Sequence, residues 1–375
     1  MTLPTVCFVS GTIYPLLASL SERPVVGGAE VQQVLIGQGL RDLGFGISYV
    51  TEEYGQGPRA TVRGFPVLSF RLGRNKLVQG LTLIRALWRA QADIYYVRDK
   101  PNYGLLIYLF CRVTRRKIVQ ALADDNEVAL RDGDGSLGAW MFRAHAAWRR
   151  RADLVIAQTR YQAARLQTDW GVRAEIVPNV VLMPARVTRA WGMQGRFRVL
   201  WVGRLAPFKR AAWVADIARR LPEMDFVVAG ARAPEALDHY ETVAPLLQAC
   251  PNVHWLGFVP YAQVDELFKS ADVLLHTSAP GREGFPNVFL QAWAAAIPVI
   301  STSADPNELL SQGGLGLLTG TLDEAVAALQ HLAADRPLAQ AMGARGRDYA
   351  WENYRLEAVI PRLASLLSGL LEYGG

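Results

Sequence analysis

Two cations in the second half of the chain have a spacing suited to chemistry on an anionic ligand. In "RVLWVGRLAPFKR" (198–210), Arg204 and Lys209 follow an apolar run and Gly203. Cationic side chains and backbone N–H groups at a strand-to-helix junction are suited to binding phosphate. The alternative is that both are ordinary surface charges.

A carboxylate and an amide stand eight residues apart in "EGFPNVFLQA" (283–292). Pro286 is expected in the first turn of a helix, whose N–H groups at 285–288 would favour an anion. Glu283, when ionised, only accepts hydrogen bonds and could take them from sugar hydroxyls. Gln291 shares a helix face with Asn287. Alternatively, Glu283 is a simple N-terminal helix charge and Gln291 a solvated amide.

The elements that must position these residues repeat as strand and helix in two series. The first series has apolar runs at 6–10, 47–51, 94–98, 117–122 and 154–158, and the second at 198–202, 225–229, 253–256, 272–276 and 298–302. Helical patterns lie between them, at 29–42, 80–92, 103–114, 137–151, 160–169, 208–220, 232–249, 261–270 and 286–296. This alternation predicts an α/β fold with two doubly wound, Rossmann-like domains.

The length of 375 residues fits two domains. We predict an N-terminal domain at 1–190, a C-terminal domain at 191–352 and a final helix at 353–375 that packs back on the first domain. Ligands of such sheets bind at the carboxyl ends of the strands, so we expect the site in a cleft between the domains. Three scattered cysteines favour a reducing compartment, and no apolar run approaches a membrane span of ~20 residues. These features predict a cytoplasmic protein.

The first half contributes candidates for an acceptor side. Gly27 and Gly28 in "VVGGAEVQQ" open a helix, although a tight loop–helix junction explains them equally. Arg98, Asp124 and Asp125 stand where apolar strands end and could position an acceptor hydroxyl, but a strand-end charge is often only solvated. "DGD" at 132–134 invites a metal site, which we do not expect.

Charge is unevenly distributed along the chain. Residues 1–190 carry 25 Lys and Arg against 15 Asp and Glu, whereas the whole chain has a net charge of +6. This excess indicates either a solvated arginine-rich surface or a face for an anionic partner, such as phospholipid head groups or a lipid-linked diphosphate acceptor. No nucleic-acid recognition pattern accompanies the charge, so we expect no nucleic-acid partner.

The motifs together resemble the retaining glycosyltransferases of family four, also called glycosyl transferases group 1. The resemblance is carried by "VVGGAEVQQVLIGQGLRDLG", "ADLVIAQTRYQAARL", "VPNVV", "VGRLAPFK" and "EGFPNVFLQA". It implies the GT-B architecture, in which two Rossmann-like domains face each other across a cleft. The last motif keeps the family's E-x7-E spacing but has Gln291 in place of the second glutamate.

The resemblance also implies roles for the residues. Arg204 and Lys209 would stabilise the leaving donor diphosphate beside Gly203, and Glu283 would bind hydroxyls of the transferred sugar. The backbone of Gly284, Phe285, Pro286, Asn287 and Val288 would contact sugar and phosphate, Gln291 the ribose, and Gly27 and Gly28 the donor phosphates. No metal or other cofactor is implied.

The resulting hypothesis is an enzyme that moves a sugar from a nucleotide-diphosphate sugar to a hydroxyl acceptor, with retention, in cell-surface glycan or glycolipid synthesis. The acceptor would be a glycan or a lipid-linked molecule, with peripheral association at the inner face of the cytoplasmic membrane. Two alternatives remain: a nucleotide-sugar epimerase of the same architecture, and a catalytically degenerate partner subunit that binds sugar nucleotides.

Overall fold

A computed structural model describes residues 3–19, 27–73, 75–98, 103–128, 148–184, 195–233 and 236–372. The described chain divides into two compact units. The chain passes from unit 1 to unit 2 between Val180 and Val181, and it returns to unit 1 between Arg355 and Leu356. Unit 1 contains the described residues before Val181 and those after Arg355, and unit 2 contains Val181–Arg355.

Unit 1 is built on an eight-stranded sheet with the order β3-β4-β2-β1-β5-β6-β7-β8. Neighbouring strands are parallel, except that β3 and β4 form an antiparallel hairpin. The strands are β1 (Thr5–Val9), β2 (Gly46–Glu52), β3 (Arg59–Val62), β4 (Phe65–Phe70), β5 (Ile94–Arg98), β6 (Lys117–Ala121), β7 (Leu154–Ala157) and β8 (Glu175–Ile176).

Most helices of unit 1 pack their buried sides on this sheet, and the C-terminal helix packs on a neighbouring helix. The helices are α1 (Tyr14–Leu17), α2 (Gly28–Asp42), α3 (Lys76–Ala90), α4 (Gly104–Val113), α5 (Arg160–Trp170) and the C-terminal helix α12 (Leu356–Glu372). Polar caps start two of them. The Asn75 side chain accepts from the backbone N–H groups of Leu77 and Val78 at the start of α3, and Thr159 caps α5.

Unit 2 has a six-stranded, fully parallel sheet with the order β11-β10-β9-β12-β13-β14. Its strands are β9 (Arg198–Val202), β10 (Asp225–Ala229), β11 (Val253–Gly257), β12 (Val273–His276), β13 (Val299–Ser301) and β14 (Gly316–Leu318). Its helices are α6 (Ala212–Arg220), α7 (Leu237–Gln248), α8 (Tyr261–Ser270), α9 (Asn287–Ala294), α10 (Leu322–Ala334) and α11 (Arg336–Asn353), and Pro207–Lys209 form a short 3-10 helix.

The two places where the chain passes between the units are joined by a backbone hydrogen bond. The Val181 N–H donates to the Tyr354 carbonyl at 2.9 Å, and Val181 is buried in a core cluster of unit 2. The division therefore falls before Val181, whereas we predicted a boundary after residue 190; residues 185–194 lie outside the described part. On the other side, α12 packs on α2 of unit 1, where a Cβ on Gly39 would lie 2.7 Å from Ile360 Cγ1.

The predicted fold class is confirmed: the chain is α/β with two parallel-sheet domains. The sequence patterns did not predict the β3–β4 hairpin, β8, β14 or the helices α10 and α11. The predicted helix at 137–151 and the "DGD" segment fall mainly outside the described residues. Among the described residues, no helix is both long and apolar enough to cross a membrane.

Candidate functional site

The predicted donor-side residues of unit 2 lie at the point where the strand order of its sheet reverses. From β9 the chain continues to β10 and β11 on one side of the sheet, and β12 lies on the other side of β9. Loops that leave the carboxyl ends of two such strands diverge and open a crevice for a ligand. Arg204 and Lys209 follow β9, and Glu283 follows β12.

Glu283 and Lys209 form an ion pair between these two loops. The Lys209 ammonium donates to Glu283 Oε1, and each side chain is 16% exposed. The Ser278 hydroxyl donates to the same oxygen at 2.8 Å. Burial acts to raise the pKa of Glu283, but the Lys209 charge, the adjacent His276 ring and the hydrogen bond from Lys209 outweigh it, and the net pKa is lowered. Glu283 is therefore an ionised acceptor at neutral pH.

His276, the last residue of β12, orients this carboxylate through Ser278. Its Nε2 lies 3.0 Å from Ser278 Oγ, and its Nδ1 lies 3.3 Å from Ser301 Oγ. Burial lowers the pKa of His276, so the ring is neutral. Because Ser278 gives its proton to Glu283, Nε2–H donates to Ser278 and Nδ1 accepts from Ser301, an assignment that follows from the hydrogen-bond network.

Arg210 ties the loop that carries Lys209 to the strand ends. Its guanidinium donates to the Thr277 carbonyl at 2.7 Å and to Thr302 Oγ1 at 2.9 Å. The Thr277 hydroxyl in turn donates to the Lys209 carbonyl at 2.6 Å. These contacts fix the backbone of Lys209, so the ammonium is held where Glu283 can reach it.

Gly203 and Arg204 lead from β9 into this loop. The Gly203 N–H donates to the Ala229 carbonyl at 3.0 Å. A Cβ at position 203 would lie 3.3 Å from the Trp201 ring, which is tight, and 3.7 Å from Lys209 Cδ, which is ordinary van der Waals contact. The half-buried Arg204 lies in the same loop.

The segment behind Glu283 is packed into the core. Gly284, Phe285 and Pro286 are buried, and the Phe285 ring lies 5.1 Å from the Tyr354 ring. Pro286 is the N-cap of α9, with the helix beginning at Asn287, so the expected position in the first turn is wrong by one residue. An extended ψ of 122° at Pro286 keeps it outside the helix.

The first turn of α9 contains Asn287 and Val288, both half-buried. One turn later comes Gln291, whose side-chain nitrogen is buried and has no hydrogen-bond partner among the described residues. Asp265 of α8 lies nearby. Burial raises the pKa of Asp265, while the Lys269 charge and the Gln291 amide partly offset the rise. A carboxylate at position 291 would therefore stand beside another carboxylate.

The predicted glycines of unit 1 begin α2. Gly27 is its N-cap, and Gly28 is its first residue. A Cβ at position 27 would lie 2.4 Å from a carboxylate oxygen of Glu30, which also accepts from the Thr12 hydroxyl. The glycine thus lets Glu30 fold back over the helix start.

The predicted acceptor-side residues of unit 1 are engaged in local contacts. Arg98 is 6% exposed and donates to Asn179. Asp124 is the N-cap of a short 3-10 helix, and Asp125 accepts from Gln162 at 2.9 Å. These three side chains stabilise the ends of β5 and β6, and their role toward an acceptor stays a prediction.

The sequence analysis missed His276, Ser278 and Arg210. A polar residue at the end of the apolar run "DVLLH" was a signal for His276. Arg210 carried no such signal, because its partners follow β12 and β13. Ser278 lies close in sequence to its partners His276 and Glu283, but a lone serine in a polar loop does not indicate a contact. In the described part of the chain, His, Cys, Asp and Glu residues form no group of three that could hold a metal ion.

Two family models match the chain. The model described as "Glycosyl transferase 4-like domain" matches residues 27–180, and "Glycosyl transferases group 1" matches residues 196–335. A GDP-mannose-dependent alpha-(1-6)-phosphatidylinositol monomannoside mannosyltransferase of Mycolicibacterium smegmatis is 29% identical over 244 residues. That match covers 59% of this chain and 63% of the relative, which is less than two thirds of its length.

Solved structures share the fold. A sucrose-phosphate synthase from Thermosynechococcus elongatus has a TM-score of 0.79 at 16% identity and covers 99% of this chain and 100% of that one. Anabaena HepE in complex with UDP-glucose has a TM-score of 0.76 at 19% identity, covering 98% and 100%. At these identities, the likeness supports the architecture alone.

We expect stability to fall as the pH decreases from 7.5 to 5, partly through His276. The folded-state pKa of His276 is lowered, so the unfolded chain takes up its proton first, and stability is lost as the pH falls below ~6.5. Glu283 does not contribute in this window, because its stabilisation is lost only below its unfolded pKa of ~4.3. Urea unfolding at pH 7.5, 6 and 5 gives the free energy of unfolding at each pH, and hence its slope against pH.

The matched variants are His276→Gln and His254→Gln, the second at an exposed position in the same unit. His276→Gln should flatten the slope of the free energy of unfolding against pH, because the group that takes up the proton on unfolding is removed. His254→Gln should keep the wild-type slope. An unchanged slope in His276→Gln would contradict the buried neutral imidazole.

Gln291→Glu should lower the melting temperature at pH 7.5 by ~2–4 °C, because it places a second carboxylate beside Asp265. Asp265→Asn should remove most of that loss in the double variant, and Asp265→Asn alone provides the reference. Thermal unfolding of the four proteins gives the coupling between the two positions. Additive effects would mean that the two side chains do not interact.

Proposed function

Because the chain belongs to the glycosyl transferases group 1, we propose that it transfers a sugar from a nucleotide-diphosphate sugar to a hydroxyl acceptor with retention at the anomeric carbon. The observation that carries this proposal is the Lys209–Glu283 pair at the reversal point of unit 2. The pair places an ammonium group that can bind phosphate beside an ionised carboxylate that can accept hydrogen bonds from sugar hydroxyls.

Each charged group has a distinct task in this reaction. Lys209 and Arg204 bind the diphosphate and stabilise the negative charge that grows as the bond from the anomeric carbon to phosphate breaks. Glu283 accepts hydrogen bonds from hydroxyls of the transferred sugar, which orients the ring. The N–H groups at the start of α9 add a favourable dipole for the phosphate.

The acceptor hydroxyl oxygen forms the new bond on the face that the phosphate leaves. Its proton passes to an oxygen of the departing diphosphate, so the leaving group serves as the base. The protein's part in this scheme is positioning and charge stabilisation. Since Lys209 and Arg204 supply positive charge, we propose that no metal ion is required.

The proposed acceptor is a glycan or lipid-linked molecule, as in cell-surface glycan or glycolipid synthesis. The net positive charge of residues 1–190 supports an anionic or diphosphate-linked acceptor. The mycolicibacterial relative is named for a phosphatidylinositol-linked acceptor and for GDP-mannose as donor. GDP-mannose is therefore the first donor to test.

A thermal-shift panel of GDP-, UDP- and ADP-sugars tests the donor site. A ligand that binds only the folded protein raises its apparent stability by mass action, by about 2.7 kcal/mol at one hundred times Kd. The donor found in this way is then incubated with candidate acceptors, and the anomeric configuration of the product is determined by NMR. An inverted product would refute retention, and product formed without acceptor would indicate epimerisation.

Lys209→Met alone should destabilise the protein, because it leaves Glu283 ionised and without its cation. We expect a loss of roughly 2–3 kcal/mol, less than for a fully buried pair because both side chains are 16% exposed. Glu283→Gln in the same chain should restore most of the stability, since the pair is then neutral.

The double variant separates structure from function. With its fold recovered, Lys209→Met/Glu283→Gln should still show no thermal shift with the donor and at least ~100-fold lower turnover. Arg219→Gln, on the exposed side of α6, is the charge control and should behave as wild type. Near-normal donor binding in the double variant would refute the assigned roles.

A further inference from the structure

Unit 1 exposes an apolar face on the outer sides of α3 and α4. It consists of Leu77, Leu81 and Trp88 on α3 and Leu105, Leu109 and Val113 on α4, and we call it the α3–α4 face. Leu77 is 78% exposed and Val113 84% exposed. Clusters of large exposed apolar side chains on one surface indicate an interaction site.

Helical spacing aligns these side chains on the outside of each helix. Positions 77, 81 and 88 of α3, and positions 105, 109 and 113 of α4, fall on one side at 3.6 residues per turn. The opposite sides of both helices are buried, with Leu83 and Leu87 on α3 and Ile107 on α4 in the same core cluster. The exposed residues are therefore a second apolar stripe in addition to the core-facing one.

The two stripes adjoin because the helices pack side by side. A Cβ on Gly80 would lie 3.6 Å from Leu106 Cδ2, and the rings of Trp88 and Phe110 meet edge to face at 6.4 Å. Both helices also cover the same core cluster. Their outer sides thus form one continuous surface.

The surroundings of this face are strongly basic. The segments 71–92 and 103–117 contain nine Lys and Arg residues and no Asp or Glu. Four of these cations, Arg71, Arg112, Arg116 and Lys117, pair with Glu53, Asp93 or Asp153 outside these segments. Among the described residues, no carboxylate lies within ion-pair distance of Arg85 or Arg89, which are exposed on α3.

We propose that the α3–α4 face binds the surface of an anionic lipid bilayer. Aliphatic side chains and Trp88 enter the boundary between head groups and acyl chains, while Arg85 and Arg89 contact lipid phosphates. A helix pair with an apolar outer stripe, basic flanks and no acidic residue has the chemistry of an interfacial membrane anchor. The inference does not depend on the catalytic proposal, because none of these residues belongs to the site in unit 2.

Vesicle flotation tests this surface with the full chain. Wild-type protein should float with vesicles of phosphatidylcholine and phosphatidylglycerol at low salt, and much less with phosphatidylcholine alone. Because screening weakens the attraction, binding should also drop at 1 M salt. Equal binding to both vesicle types, or none to either, would overturn the proposal.

Two pairs of exposed-site variants locate the contact. Leu77→Gln/Leu81→Gln should reduce the partition coefficient at least ~10-fold through lost apolar burial. Arg85→Gln/Arg89→Gln should reduce it ~10–30-fold, since each cation near an anionic surface contributes to binding. The matched controls lie on unit 2 and should bind as wild type: Leu182→Gln/Leu237→Gln for apolar residues and Arg219→Gln/Arg220→Gln for cations.

Folding and self-association are checked on the same samples. Unchanged thermal unfolding of the variants shows that lost flotation reflects the surface and not a damaged fold. Size-exclusion chromatography with light scattering reports oligomers. If wild type forms a dimer that Leu77→Gln/Leu81→Gln dissociates, while lipid binding is the same in both, the face joins two copies of the chain and the membrane proposal is wrong.

Discussion

The candidate site depends on one ion pair that joins two loops across the reversal point of a parallel sheet. Lys209 and Glu283 are 74 residues apart in sequence and meet with both side chains 16% exposed. At that exposure neither charge can be fully hydrated, so each needs the other. This mutual requirement fixes the relative position of the loops after β9 and β12, and with it the place of every other polar group around them.

The polar groups around the ion pair fix the positions of both charges before a ligand binds. Neutral His276 and Ser278 orient the carboxylate, and Arg210 holds the backbone that carries the lysine. Polar groups that are fixed before a ligand binds need no reorganisation when charge develops, which is the condition for strong electrostatic stabilisation. The packed segment from Gly284 to Pro286 adds rigidity beneath Glu283.

The two units use charge in opposite ways. At the candidate site of unit 2, Lys209 and Glu283 are paired and partly buried, which suits precise contacts to a small anionic ligand. In unit 1 the cations of α3 are exposed beside apolar side chains, which suits a broad, screened attraction to a surface. One chain thus combines a small-ligand site with a surface suited to an extended anionic partner.

The sequence by itself determined the parallel α/β class and most strands, because strands buried on both faces read as short apolar runs. It did not predict the β3–β4 hairpin, whose β3 alternates half-buried and exposed residues, or the three-residue β14. It also predicted Lys209, Arg204 and Glu283 from their types and positions. Only the tertiary structure decided that Lys209 pairs with Glu283, that His276 stands behind them, and that Gln291 lies beside Asp265. The physical reason is that a strand-end side chain finds its partner through the order of strands in the sheet, and no pattern along the chain encodes that order.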